Sequence, residues 1–476
     1  MKQAEKTDML LALIRERKPM TVAQQLQLTV YLSIPAIIAQ LSAIIMQYID
    51  ASMVGSLGAE GAASIGLIST TTWLFFGLCG AGGMGFSVQV AHCIGAGDMS
   101  GARAVLRQSL TAIMIYSLIL AALGVAISPF LPGWLGGDES ICRDASLYFL
   151  IFSLFLPALQ MNYLAGGMLR CSGNMHIPSL MGVVMCILDI IFNFFLIFPS
   201  REMHLCGMSF FVPGAGFGVE GAALGTALAE TIVTGILLWY LLSRSKELSL
   251  KIEKGSFRPA KSTLKKALRI GFPMGIEHIV ICGAQIMTTV IVAPLGVFAI
   301  AANSFGITAE SLCYMPGYGI ADAATTLIGQ SMGAKRVRLT RSFARITVLM
   351  GMIVMGFMGL IMYVFAPQII GLMTPVEEIR QLGVMALRIE AFAEPFFAAS
   401  LVSYGVFVGA ADTFIPCLMS FFSIWAVRLS LAVILAPTMG LKGVWIAMCT
   451  ELCFRGIIFL SDCFVSGGCG RFASNK

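Results

Sequence analysis

The chain has 476 residues, 58% hydrophobic and 12% charged, with a formal net charge of +6 and a mean hydropathy of +0.87. Soluble domains carry about 25% charged residues, so this scarcity excludes a water-soluble globular protein, and the apolar excess excludes a disordered one. A polytopic membrane protein remains, consistent with 50 Gly and 17 Pro, since both residues are commoner in spanning helices than in soluble ones.

A spanning helix needs about 20 mainly apolar residues. The sequence predicts twelve, near 28–54, 61–91, 104–128, 145–168, 177–199, 217–243, 267–292, 298–331, 343–366, 381–409, 413–437 and 440–465. Helices are expected because the bilayer core offers backbone amides no water, and the alternation of a membrane barrel is absent. Lys2, Lys6, Arg15, Arg17 and Lys18 precede the first span. Arg103 and Arg107 follow the second, Arg170 the fourth, a basic run from Arg244 to Arg269 the sixth, and Lys335, Arg336, Arg338 and Arg341 the eighth. The odd loops hold Glu60, Asp138, Glu139, Glu377 and Glu378 instead. Bases collect on the cytoplasmic side, which predicts a multi-pass protein of the plasma (inner) membrane with both termini cytoplasmic. Topology accounts for the positive charge, so no nucleic-acid partner is implied. No cleavage-site pattern precedes the first span, so no removed signal peptide is expected.

Most of the 13 Cys sit in apolar runs, where cysteine acts as a small hydrophobe. Cys142 and Cys206 both fall on the predicted outer side, placed to pair, although nothing else suggests a disulfide framework. No Cys/His spacing resembles a metal site.

The chain also repeats itself. Under one constant shift Pro35 falls on Pro273, Leu57-Gly58 on Leu295-Gly296, Gly95-Ala96 on Gly333-Ala334, Arg103 on Arg341, Gly167 on Gly405 and Pro178 on Pro416. Gly221 then pairs with Gly443 under a smaller shift, and an insertion around Ser200–Gly216 accounts for the slip. Each half therefore holds six spans and starts on the same side, giving parallel repeats about an axis along the membrane normal. The expected organisation is all-α: two pseudo-symmetric six-helix bundles, an N-lobe over 1–243, a basic linker over 244–266 and a C-lobe over 267–476. A cleft between two such bundles is a transporter architecture.

A charged side chain at the bilayer centre costs about 2.5–3.5 kcal/mol on insertion scales, so each acid left in a span asks for a reason. Asp50 lies in the first span, Asp189 and Asn193 one helical turn apart in the fifth, Thr226 and Glu230 likewise in the sixth. Residues at that spacing share a helix face. Their oxygens suit a hard cation or a proton. The second half places its acids elsewhere: Glu277, Glu310, Asp322, Glu390, Glu394 and Glu451. Glu277, Glu310 and Glu394 are candidates for a substrate cavity attractive to cations. Glu390 is placed to pair with Arg388 or Arg428, and Glu451 with Arg455 one turn on. His278, beside Glu277, is a weaker candidate for proton handling. Gly80–Gly85 matches G-x-G-x-x-G, but it lies inside a span without the strand a nucleotide site needs. Close helix packing by small residues explains it, as it does Gly221 and Gly225.

Several strings together resemble the multidrug and toxic compound extrusion (MATE) family. They are Pro35 with the run Asp50 to Gly58, Leu295 to Asn303, Glu310 to Gly317, Thr326 to Gln330 followed by Gly333-Ala334, and Gly443 to Trp445. The resemblance runs from about residue 25 to 465. It implies twelve spans in two lobes that export drugs on proton or sodium entry. Asp50 matches the family's first-span aspartate, implicated in cation coupling. Glu277 matches a seventh-span acid, and Asn193 and Thr226 fall on the first-lobe polar cluster. One departure stands out: members often carry Asn and then Asp in the fifth span, whereas here Asp189 precedes Asn193. The carboxylate has moved by one turn, about 5.4 Å. Asp322 also departs from an apolar pattern.

The expected function is thus secondary antiport: small-molecule organic cations leave in exchange for H+ or Na+, the latter at Asp50, Asp189 and Asn193. The protein is expected to work as a monomer among membrane lipids, without a cofactor. The alternatives are a lipid-linked oligosaccharide flippase of the same superfamily, an intramembrane enzyme and a non-transporting receptor. An enzyme is disfavoured because no G-x-S-x-G or H-E-x-x-H motif is present. No P-loop motif is present either.

Overall fold

The structure, a computed structural model, describes residues 2–205 and 208–464. An N-terminal helix α1 (Lys2–Arg15) leads into α2 (Val22–Gly55), α3 (Ala59–Gly95), α4 (Met99–Ile127), the short α5 (Leu131–Trp134), α6 (Glu139–Cys171) and α7 (His176–Leu196). A hairpin of β1 (Pro199–Leu205) and β2 (Met208–Ala215) precedes α8 (Gly218–Ser243). The second half runs through α9 (Lys261–Val292), α10 (Val297–Gly333), α11 (Val337–Met373), α12 (Glu377–Glu390), α13 (Glu394–Gly409), α14 (Phe414–Phe422), α15 (Ser430–Met439) and α16 (Leu441–Phe464). Below, the end of the molecule holding α1 and the α8–α9 linker is the basic end, and the opposite end is the hairpin end.

Among the described residues, ten helices are long and apolar enough to cross a bilayer, and the pair α12–α13, bent by 59°, counts as an eleventh. The remaining long helix, α10, spans 37 residues and is buried in protein along most of its basic half, where a lipid-like surface is not required.

The repeat is visible in the backbone. Helices α3, α4, α6 and α7 begin at 59, 99, 139 and 176; α10, α11, α12 and α14 begin at 297, 337, 377 and 414. All four pairs are separated by the one offset that carries Pro35 onto Pro273. The turns repeat too: Gly58 and Gly296 precede α3 and α10 with φ of 113° and 101°, values that only glycine adopts without strain. Gly97 and Gly173 also have positive φ, and their counterparts Lys335 and Ala411 adopt φ of 57° and 63° without being glycine. The insertion at 200–216 is an antiparallel pair, with Arg201 opposite Val212; strands are absent from the sequence expectation.

Three further departures have local causes. Helix α9 starts at Lys261, inside the segment expected to be linker. The tenth span breaks at 391–393 because Pro395, at the start of α13, supplies no backbone N–H to continue α12. Residues Ser423–Leu429 form a π-helical stretch between α14 and α15, and such bulges gather at functional sites. Cys142 is a free thiol that donates to the Gly137 carbonyl at 3.3 Å. Cys206 lies outside the described residues.

The bundles meet mainly through α2, α3, α9 and α10. Leu28, Leu32 and Ala36 of α2 join the core of α10, α11 and α13, while Ala267 of α9 joins the core of α3, α4, α6 and α8. Glycines make the crossings close. A Cβ on Gly95 would overlap the Gln330 backbone, and one on Gly333 the His92 backbone. A Cβ on Gly271 would meet the Ala81 carbonyl at 2.7 Å, and one on Gly319 the Ile37 nitrogen at 2.6 Å. All lie toward the basic end. At the hairpin end Gly55, Gly58, Gly66 and Gly296 would meet nothing within 4 Å. The bundles thus cross most closely at the basic end, and nearer the hairpin end Tyr48 of α2 donates to the Thr308 carbonyl of α10 at 2.6 Å. Helix α1 reinforces the basic end: Arg15 pairs with Glu247 at 3.1 Å and donates to the Ser172 carbonyl, and Arg336 donates to the Leu13 carbonyl.

Candidate functional site

In the first bundle α2, α7 and α8 converge. Asp50 sits in the last two turns of α2, while Asp189 and Asn193 share the inner face of α7 and are fully buried. The Asn193 amide donates to Asp50 Oδ1 at 2.8 Å and to Asp189 Oδ2 at 3.1 Å. Asp50 and Thr226 lie next to Asp189, whose Oδ1 has no hydrogen-bond partner. Gly225 explains how α8 comes so near: a Cβ there would overlap Asn193 Oδ1. Gly221 does the same against the Leu196 carbonyl, at 2.5 Å. Asn193 Oδ1 has no hydrogen-bond donor, which leaves a buried lone pair beside two carboxyl groups. Oxygens of this kind suit a hard cation or a proton. Among the described residues no Lys, Arg or His forms an ion pair with this cluster.

Glu230 stands one turn further along α8 and is apart from that group. It accepts from the Asn162 amide of α6. Asn162 is not among the residues singled out from the sequence; an amide within an apolar span was the available signal.

The second bundle is organised around Glu451. Ser423 donates to its Oε1 at 2.6 Å. Arg428 donates twice to Oε2, at 2.9 and 2.6 Å. Arg455 adds the expected i,i+4 contact at 3.1 Å. Ser423 and Arg428 both sit on the π-helical stretch, whose wider turn brings them to one partner. Arg428 therefore serves Glu451 rather than Glu390. Arg388 does not serve Glu390 either: it lies over the Tyr363 ring, 5.4 Å from its centroid. Neither carboxyl oxygen of Glu390 has a hydrogen-bond partner. Glu390 and Glu394 flank the break between α12 and α13, and Glu310 on α10 completes the buried group. Glu277, also buried, lies beside the hydroxyls of Tyr404 and Ser420. The three candidate cavity acids thus all face the interior of the second bundle. The adjacent His278 packs its ring against Gly77 of α3.

Asp322 acquires a physical account. It pairs across the bundles with Arg170 of α6 at 3.8 Å. One turn on, Thr326 donates to the Arg170 carbonyl at 3.1 Å, and Gln330 donates to the Cys171 carbonyl at 3.0 Å. The His92 ring meets the Gly409 carbonyl at 2.8 Å; a carbonyl only accepts, so that nitrogen carries the hydrogen. The G-x-G-x-x-G string packs helices as expected: a Cβ on Gly83 would meet the Leu164 backbone at 3.4 Å, and one on Gly85 would overlap the Ala267 carbonyl.

A duplicated set of spanning helices, crossing closely at one end and holding buried acids in each half, defines a membrane transporter. The chain belongs to the MatE family, whose model matches residues 35–195 and 273–434, two stretches whose starts are the paired prolines of the repeat. Its members are transporters, not enzymes. A relative from Thermotoga maritima, described as probable multidrug resistance protein NorM, is 27% identical over 92% of this chain and 91% of its own. A structure described as an outward-facing multidrug resistance MATE family transporter matches with a TM-score of 0.87, at 21% identity, covering 98% of this chain and 99% of the other. A mutant of the Vibrio cholerae MATE transporter VcmN matches with a TM-score of 0.86, at 19% identity over 95% and 99% of the two chains.

Proposed function

We propose that this protein is a multidrug exporter of the plasma (inner) membrane, expelling amphipathic organic cations in exchange for protons or Na+ by alternating access of two lobes. The observation that carries this reading is the pair of acids Asp50 and Asp189, bridged by the Asn193 amide with no base beside them among the described residues. Burying acids without a base is costly, and an entering proton or Na+ offsets that cost. Binding then tightens the packing of α2 on α7 and α8, a change one state accommodates better than the other, as any ligand-driven switch demands. Glu230 extends the acidic path, and Glu277, Glu310 and Glu394 provide negative charge for a cationic substrate. On this reading the basic loops face the cytoplasm, and the close crossing at the basic end corresponds to an outward-facing state. The NorM description of the relatives supports drugs as the cargo.

The test is ethidium efflux from proteoliposomes under imposed pH and Na+ gradients in turn. Wild type should respond to one gradient, and Asp50→Asn should lose about tenfold or more of that response, equivalent to about 1.4 kcal/mol of coupling. Undiminished coupled efflux in the variant overturns the assignment.

A further inference from the structure

A groove of about 260 Å³ opens between the bundles where α3 and α4 face α9. Its walls include Ala81 and Phe86 of α3, Ala112 and Tyr116 of α4, and Leu268 and Phe272 of α9. None of the candidate acids lines it. Its small floor residues, such as Gly82 and Gly271, leave the space, while the exposed Leu268 and Phe272 keep it open sideways toward lipid. The Tyr116 hydroxyl donates to the Leu78 carbonyl, so it is committed within the protein. A polar ligand finds little to hold it here, whereas a hydrocarbon chain fits.

The mouth of the groove has the opposite character. Lys261 and Lys265 are one turn apart and open α9 on the face that continues through Leu268 and Phe272. Both are exposed, and neither pairs with an acid among the described residues. Lys251, Lys254 and Arg258 of the adjoining linker are exposed as well. The one acid among them, Glu253, is taken by Arg103 at 3.6 Å. Between these bases Ile252 and Phe257 are 61% and 51% exposed. Apolar side chains standing out among unpaired bases are the mark of a segment lying in a membrane interface. Basic pockets between spanning helices bind anionic head groups.

We propose that this groove is a binding site for an anionic phospholipid, with one acyl chain between α3, α4 and α9 and the phosphate held by Lys261 and Lys265. The lipid touches both halves of the repeat at once, beside the crossing of Gly85 and Ala267.

Native mass spectrometry of the full chain tests this after reconstitution with equimolar phosphatidylglycerol and phosphatidylcholine of matched chains. Wild type should retain phosphatidylglycerol about tenfold or more in excess. Each lysine contributes about fivefold, the usual strength of a base near a charged membrane surface, so Lys261→Gln with Lys265→Gln should retain both lipids equally. Ala112→Phe fills the groove and should retain less of either lipid. Equal retention of the two head groups by wild type overturns the proposal, as does an unchanged preference in the lysine variant or unchanged retention in Ala112→Phe. The lysine variant alters only exposed side chains, so it decides the matter even where the filled groove prevents folding.

Discussion

The two bundles share a backbone plan yet centre their buried charge differently. Around Asp50, Asp189 and Asn193 the first bundle has acids and an amide but no base. Around Glu451 the second has two arginines, one serine and further acids within reach. A charge buried with its own counter-charge is part of the fold; a charge buried without one depends on something from outside. The pseudo-symmetric scaffold therefore holds one acid group with no base and one acid, Glu451, neutralised by two arginines, while Glu310, Glu390 and Glu394 stay buried around it without an ion pair among the described residues. Thr288, which stands where the repeat would put a second Asp50, fits this division: its hydroxyl donates to the Ala284 carbonyl of its own helix at 2.9 Å and adds no charge.

The difference can be broken experimentally. Glu451→Gln should strand Arg428 and Arg455 and cost about 3–5 kcal/mol of stability, read as a lowered unfolding midpoint in detergent. Asp189→Asn should leave that midpoint unchanged or raise it, since it removes one of two adjoining carboxyl groups. Equal losses in both variants would erase the distinction. Gly225→Ala should push Asn193 away from Asp50 at about 1–3 kcal/mol, the usual range for overpacking, and should lower coupled efflux; the matched change Gly66→Ala meets open space and should do neither. Ala411→Gly should gain about 1 kcal/mol by relieving a left-handed residue, bringing the second-half turn into line with Gly173; thermal unfolding checks the sign. Smallest of all, a double-mutant cycle of Arg170→Gln and Asp322→Asn should give at most about 1 kcal/mol, because the pair is partly exposed.

Much of this architecture is legible in the sequence, for reasons that differ by region. Lipid admits few alternatives to an apolar helix, so the spans stand out. Asp50, Asp189, Asn193 and Thr226 stand out because any polar group there is costly, and α2, α7 and α8 converge on them, whereas Glu230, which the one-turn spacing pairs with Thr226, turns to Asn162 of α6. Helix α1 escapes such a reading because it is not apolar enough to look like a span; it holds through Leu10, Leu11 and Ile14 against the second-half core. The Arg428–Glu451 bond joins two different helices, and only the π-helical turn brings Ser423 alongside, which no helical periodicity anticipates. Asp322 looks anomalous in the sequence because its partner, Arg170, lies in the other half of the repeat.

The glycine crossings at the basic end carry a mechanical consequence. At roughly 1.5 Å per residue, the 37-residue α3 and α10 are levers of about 55 Å. They meet near one end, backbone against backbone, with no side chain of either helix lodged in the other at Gly95 and Gly333. Such a joint resembles two flat faces rather than a dovetail, so it parts on releasing a few side-chain bonds across the bundles, those of Gln330, Thr326 and His92. A tilt of only about 6° about that end carries the far end through about 6 Å, on the order of one helical turn, which makes a small angular change sufficient for a large opening.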